Sequence, residues 1–265
     1  AKIPPHTRIR GFLRNKQENA EKMLKDITDI NTHVRNIEGV NQLANIVKKF
    51  LSPLDFSYQI IPQVEVGHSV FFCNSVAGDY DMLILGNLDN AVKINQQDYF
   101  HESGQKLYGS GIWEHKGGLT VLILALQALR FIRVLKKLKI GILLTSDDTL
   151  QGKFLSKTVK DKSSGCTYVI GLHGASIHGG IVTSRSGSAV YKCSMNLKKT
   201  DDARNVAKAV NLFTKLIASW TDITSKEEGI VISPSDMSLN TNITEPYAHG
   251  EVKLSVRFNE EKQFK

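Results

Sequence analysis

The chain has 265 residues, 41% hydrophobic and 23% charged, with 34 Lys and Arg against 26 Asp and Glu, a net charge of +8. That balance suits one large or two modest folded domains and excludes collagen, coiled coil and an extended disordered chain. The longest mostly apolar run, residues 119–129, stops at Arg130 and is too short to cross a bilayer, so no membrane association is expected.

Residues 1–19 are basic and polar, carry Pro4 and Pro5, and read as a basic arm. Arg8, Arg10, Arg14 and Lys16 interrupt any signal-peptide core. The chain begins with Ala rather than Met, and upstream sequence is expected. From 20 to 50, Met23, Leu24, Ile27, Ile30 and then Val40, Leu43, Ala44, Val47 and Leu51 recur at helical spacing, predicting a helix pair broken near 36–39 and stopped at Pro53. Strands are predicted at 58–63 and 69–74. The continuous apolar runs at 82–85, 140–144 and 168–172 read as central parallel strands. Between the first two lies a helix over 118–135, apolar almost all round and expected to be buried against the sheet. This order predicts an α/β domain over 20–183 with a mostly parallel sheet and crossover helices. The pattern changes near Thr183. A strand at 189–197, a helix from Asp201 or Asp202 to Trp220, and strands at 230–233 and 251–258 predict a partial α+β, ferredoxin-like lid domain over 184–265, its closing helix and strand absent.

In an open parallel sheet, ligands bind beyond the carboxyl ends of the strands. Asn87 and Asp89 follow the first central strand, Asp147, Asp148 and Thr149 the second, and His173 the third, while Glu114 and His115 precede the buried helix. Carboxylates and imidazoles brought together suggest a metal site, although strand ends gather polar residues simply because they are wet. Gly109-Ser110-Gly111 and Gly117-Gly118 allow a tight turn and close backbone packing, and no phosphate-loop motif is present. Cys73, Cys166 and Cys193 form no CxxC pair and read as thiols in a reducing compartment, so a cytoplasmic location is expected. The cations are spread with no run of five and no nucleic-acid motif, so nucleic acid is not an expected partner.

Together these blocks resemble the M20 family of zinc metallopeptidases, the group of glutamate carboxypeptidases and acetylornithine or succinyl-diaminopimelate deacylases. LILGNLDNAV is similar to the family's strand and H-x-D motif, and LYGSGIWEHKGGLTVLILALQAL to its G-x-G-x-x-D-x-K-G-G block and helix. IGILLTSDDTLQG is similar to the strand ending in D-E-E-x-G, and YVIGLHG to a strand ending in another acidic ligand. SRSGSAVYKCSMNL and TNITEP with VKLSVRF resemble strands of the inserted lid or dimerisation domain. The resemblance implies a zinc-exopeptidase-like fold and amide hydrolysis by two bridged zinc ions with a glutamate base and a lid histidine.

Carried over position by position, the resemblance implies a degraded site. The first histidine ligand falls on Asn87, the bridging aspartate on Glu114, the base on Asp148, a glutamate ligand on Thr149 and a later acidic ligand on His173. Asp89 keeps the position that orients the lost histidine, while Asn242 and Arg185 fall at substrate-binding positions. The lid histidine has no counterpart, and the chain ends before the last ligand. The expected function is a non-catalytic binding or structural module, without cofactor, whose incomplete sheet domain is covered by a protein partner or second copy. The alternative is a metal-dependent amidohydrolase acting on small acyl-amino acids or peptides, with zinc or another divalent metal held by Asp89, Glu114, Asp148 and His173.

Overall fold

The computed structural model describes residues 3–174, 179–198, 203–226, 229–240 and 247–259. The chain divides into two compact units, residues 1–175 and 176–265.

The first unit begins with three helices, α1 (Pro5–Arg14), α2 (Gln17–Thr28) and α3 (Ile37–Leu51). The expected basic arm is therefore helical. Pro5 stands in the first helical turn, where its fixed φ starts a helix rather than breaking one. Ile9, Phe12 and Leu13 then recur at helical spacing and are half-buried, and Phe12 stacks on Phe131 at 4.9 Å. The pair predicted from 20 to 50 corresponds to α2 and α3. Asn36 caps α3 by accepting the Gly39 N–H at 3.2 Å, so Gly39 lies inside the helix rather than in the break.

The strands of this unit are β1 (Ser57–Ile61), β2 (Ser69–Cys73), β3 (Met82–Asn87), β4 (His101–Ser103), β5 (Lys106–Tyr108), β6 (Ile140–Thr145) and β7 (Tyr168–Gly171). Five of them form a sheet in the order β1-β2-β6-β3-β7, and β4 and β5 pair as a separate hairpin. β6 and β7 both run parallel to β3, while β2 is antiparallel to β6 and to β1, so only β2 opposes the common direction. The register sets Ile84 beside Ile142 and Asn87 beside Thr145. This ends β3 and β6 at the same level and brings their following loops together.

Helices α4 (Gly117–Phe131) and α5 (Ser156–Ser163) complete the unit. α4 buries Leu119, Leu122, Ile123 and Leu126 with α2 and α3 against one sheet face. It ends four residues short of the predicted 135 and leaves Val121 64% exposed, so it is covered on one side and not all round. The other sheet face holds a smaller cluster around Phe71, Leu83 and Leu143. β7 is an edge strand, not a central one. Among the described residues it bonds only β3, and Tyr168, Val169 and Ile170 are all exposed. A short apolar run does not by itself distinguish centre from edge.

The second unit contains β8 (Gly187–Lys198), α6 (Ala203–Thr221), α7 (Ile223–Lys226), β9 (Ile230–Asn240) and β10 (Tyr247–Phe258). Its antiparallel sheet has the order β8-β10-β9, with Phe213 and Ile217 of α6 packed on Val252 and Leu254. β9 runs well past the predicted end at Ser233. Pro234 is tolerated because β9 is an edge strand and the ladder is irregular there, its register shifting between Lys253 and Leu254.

Candidate functional site

The carboxyl ends of β3 and β6 place Asn87, Asp89, Asp148 and Thr149 together, joined by hydrogen bonds. Asp89 is fully buried, and its two carboxylate oxygens accept the backbone N–H groups of Asp148 at 3.1 Å and Thr149 at 2.9 Å. This carboxylate therefore fastens one loop to the other. Asp147 is buried in the same way, one oxygen accepting the N–H groups of Phe154 at 2.8 Å and Leu155 at 3.0 Å. A carboxylate that accepts several backbone N–H groups satisfies donors that would otherwise be orphaned. Asn87 donates from Nδ2 to the Asp89 carbonyl at 2.9 Å, and its buried Oδ1 has no hydrogen-bond partner among the described residues.

The block before α4 forms a π-helical turn, Ile112–Lys116, entered through Gly111 at φ 82°. The turn sends Glu114 to the surface and His115 and Lys116 into the interior. The Lys116 Nζ donates to the Ile30 carbonyl at 2.8 Å and the Thr28 carbonyl at 3.3 Å, a cation meeting the carboxyl end of α2. Burial lowers its pKa to about 8, against the opposing pull of Glu114 and Asp29. His115 is fully buried, and neither ring nitrogen has a partner of normal hydrogen-bond geometry among the described residues. Burial first, then Lys116 and His173, lower its pKa to about 3, while the neighbouring Leu88 backbone pulls weakly the other way. The two glycines that follow are needed for close approach. A Cβ on Gly118 would lie 2.6 Å from the Leu172 carbonyl, and one on Gly117 would lie 2.7 Å from that of Ile112.

His173, just past β7, is half-exposed and faces Asp148, with Nε2 4.0 Å from Oδ1. Beside it a groove of ≈ 500 Å³ runs between the π turn and β7, lined by Tyr108, Ile112, Trp113, Val121 and Leu172. Glu114 and Thr149 are exposed. The structure thus groups Asn87, Asp89, Asp148, Thr149 and His173 at one end of the sheet. Arg185 is exposed in the second unit ahead of β8, and Asn242 lies outside the described residues. Asp147, Lys116 and the π turn carry roles that spacing did not reveal.

These side chains do not fit a paired-zinc centre. Zinc takes about four donors of N, S or carboxylate type. Both Asp89 oxygens are engaged by backbone N–H groups, Asn87 offers a neutral amide, and Thr149 bears no charge. Among the described residues, no three His, Cys, Asp or Glu side chains are grouped to hold a metal ion.

No protein-family model matches the chain, and no curated protein matches it by sequence. Solved structures do. Human carnosine dipeptidase 1 is similar with a TM-score of 0.64 at 13% identity, over 96% of this chain and 73% of that one. A tripeptidase from Staphylococcus aureus is similar with a TM-score of 0.67 at 11% identity, over 93% and 68%. A dinuclear metal binding peptidase of the M20 family from Bacillus subtilis is similar with a TM-score of 0.61 at 13% identity, over 95% and 67%. The fold is that of the M20 metallopeptidases, α/β with a mostly parallel central sheet. At these identities the likeness establishes the fold alone.

Proposed function

We propose that this chain uses the M20 fold as a non-catalytic binding or structural module. One observation carries the reading: the strand-end carboxylates Asp89 and Asp147 are bonded to backbone N–H groups, which leaves Glu114, Asp148 and His173 as the charged or imidazole donors of the carried-over set. Two divalent ions need more donors than this. The exposed β7 edge supports a protein partner or a second copy as the binding companion, because bare apolar strand edges ordinarily need cover. Three free thiols suit a reducing, cytoplasmic setting, and among the described residues no helix is long and apolar enough to cross a membrane. The test is turnover of dipeptides and N-acyl amino acids with zinc, manganese or cobalt supplied; the expected result is none above the metal-only rate.

The alternative is a metal-dependent amidohydrolase with an altered site. The Asp148–His173 approach at 4.0 Å favours it, since both side chains face solvent. Metal-dependent hydrolysis abolished by His173→Ala would establish that reading and remove the first.

A further inference from the structure

β7 is composed like an interior strand and placed at an edge. Its residues Tyr168-Val169-Ile170-Gly171 are apolar on both faces, as in strands covered on both sides. Yet Tyr168 is 61%, Val169 47% and Ile170 46% exposed, and a Cβ on Gly171 would meet nothing within 4 Å beyond its chain neighbours. Edge strands are ordinarily blunted by charge, proline or a bulge. β9, an edge strand of the second unit, has all of these in Asp236, Pro234 and its register shift. β7 has none of them.

The open edge has a definite hydrogen-bonding pattern. Tyr168 and Leu172 donate their N–H groups to the carbonyls of Asp81 and Leu85 on the β3 side, at 3.1 and 2.8 Å. By the alternation of an extended strand, Val169 and Gly171 turn their N–H and C=O groups outward. Thr167 does not extend that set, because its N–H is bonded to the Asp81 carbonyl at 2.8 Å. A strand that pairs with its own copy across a twofold axis sets outward residues against outward residues. The register that uses both Val169 and Gly171 centres on Ile170. Val169 then faces the second copy's Gly171, Gly171 faces the second copy's Val169, and Ile170 faces its own image. Every outward N–H meets an outward C=O, and the Val169 side chain meets the space that glycine leaves open. No charge opposes its own image, an arrangement that would be destabilising.

We infer that β7 pairs antiparallel with β7 of a second copy of this chain, joining the two sheets into one. The register with β3 aligns Ile170 with Ile84, which packs in the cluster that α4 covers, so Tyr168 and Ile170 lie on the α4 face. The twofold axis keeps each face on its own side. The second copy's Tyr168 therefore comes opposite Leu172, which lines the groove containing Trp113 and Val121. Those two side chains, 66% and 64% exposed, lie on the face that the pairing extends. A second copy suits this edge better than an unrelated strand, because the edge is its own complement in hydrogen bonds, side-chain size and charge. Isologous pairing also uses up both β7 edges, so the assembly closes at two copies. The inference rests on the proposed reading of the β7 edge as covered, and not on whether the cleft hydrolyses anything.

The test is sedimentation velocity of the full chain at micromolar concentration. The wild type is expected to sediment with twice the mass of one chain. Ile170→Lys and Ile170→Glu are each expected to sediment as single chains, because like charges then face each other across the axis. Mixing these two variants in equal amounts is expected to restore the doubled mass, since Lys then faces Glu. Val169→Pro is expected to sediment singly as well. The N–H it removes bonds nothing within the chain, so its melting temperature stays near that of the wild type and lost pairing cannot be ascribed to lost folding. A wild type that sediments singly, as it would if another polypeptide covered the edge, overturns the inference. So does a doubled mass that survives these variants, or a Lys and Glu mixture that fails to restore it. Peptide turnover is scored separately. A single chain without turnover overturns the pairing alone, and turnover by the paired chain overturns the non-catalytic reading alone.

Discussion

Two charged regions of the first unit use their charge in opposite ways. At the carboxyl ends of β3 and β6 the buried acids Asp89 and Asp147 are satisfied by four backbone N–H groups and hold the loops in place. At the carboxyl end of α4 and along α1, six cations face outward without carboxylate partners among the described residues. In sequence the acidic region resembles a metal site, yet two of its carboxylates, Asp89 and Asp147, are tied to backbone N–H groups. The basic region reads as ordinary solvated surface, yet the fold brings part of it together, with Arg8 set over Phe131 at the end of α4. The sign and spacing of charges do not tell these cases apart. Their hydrogen-bond partners do.

The largest expected effect concerns His115, buried beside the Leu88 backbone. Its folded pKa of about 3 lies below the ordinary 6.5, so between these values the unfolded chain binds the proton that the folded chain refuses. Stability therefore falls as pH drops from 6.5 towards 3, by on the order of 4 kcal/mol. Urea unfolding across that range should show this loss in the wild type and a much flatter profile in His115→Leu. Equal acid sensitivity of the two would mean that His115 is solvated.

Next comes the contrast within the acids. Asp89→Ala should cost about 3 kcal/mol in urea unfolding without any metal present, because two loop N–H groups lose a buried charged acceptor. Gly118→Ala should cost about 2 kcal/mol by the same measurement, since the added methyl meets the Leu172 carbonyl. Glu114→Ala, at an exposed position, should change stability by less than about 0.5 kcal/mol. An Asp89 variant as mild as the Glu114 one would erase the distinction between wired and free carboxylates.

Much of the scaffold was legible in sequence because central strands are buried on both faces, and β3 and β6 accordingly read as continuous apolar runs. Gly117-Gly118 was legible as close packing, and the blocks around 83–92 and 107–129 carried the M20 resemblance. Other features depended on contacts the chain makes with distant segments. α1 reads as an arm until Phe131 is placed against Phe12. The edge position of β7 depends on what lies beside it, not on its own residues. The fate of Asp89 was hidden for the same reason, since its N–H donors lie 59 and 60 residues away, brought near by strand register. The π turn that buries Lys116 while exposing Glu114 has no simple sequence signature.

The central claim is that the sheet's carboxyl end lacks the free donors to hold a metal pair. Native mass spectrometry of the chain after equilibration with excess zinc and exhaustive dialysis tests it most directly. The expected spectrum is that of the metal-free chain. Retention of a stoichiometric zinc pair, lost on substitution of Asp89 and His173, would contradict it.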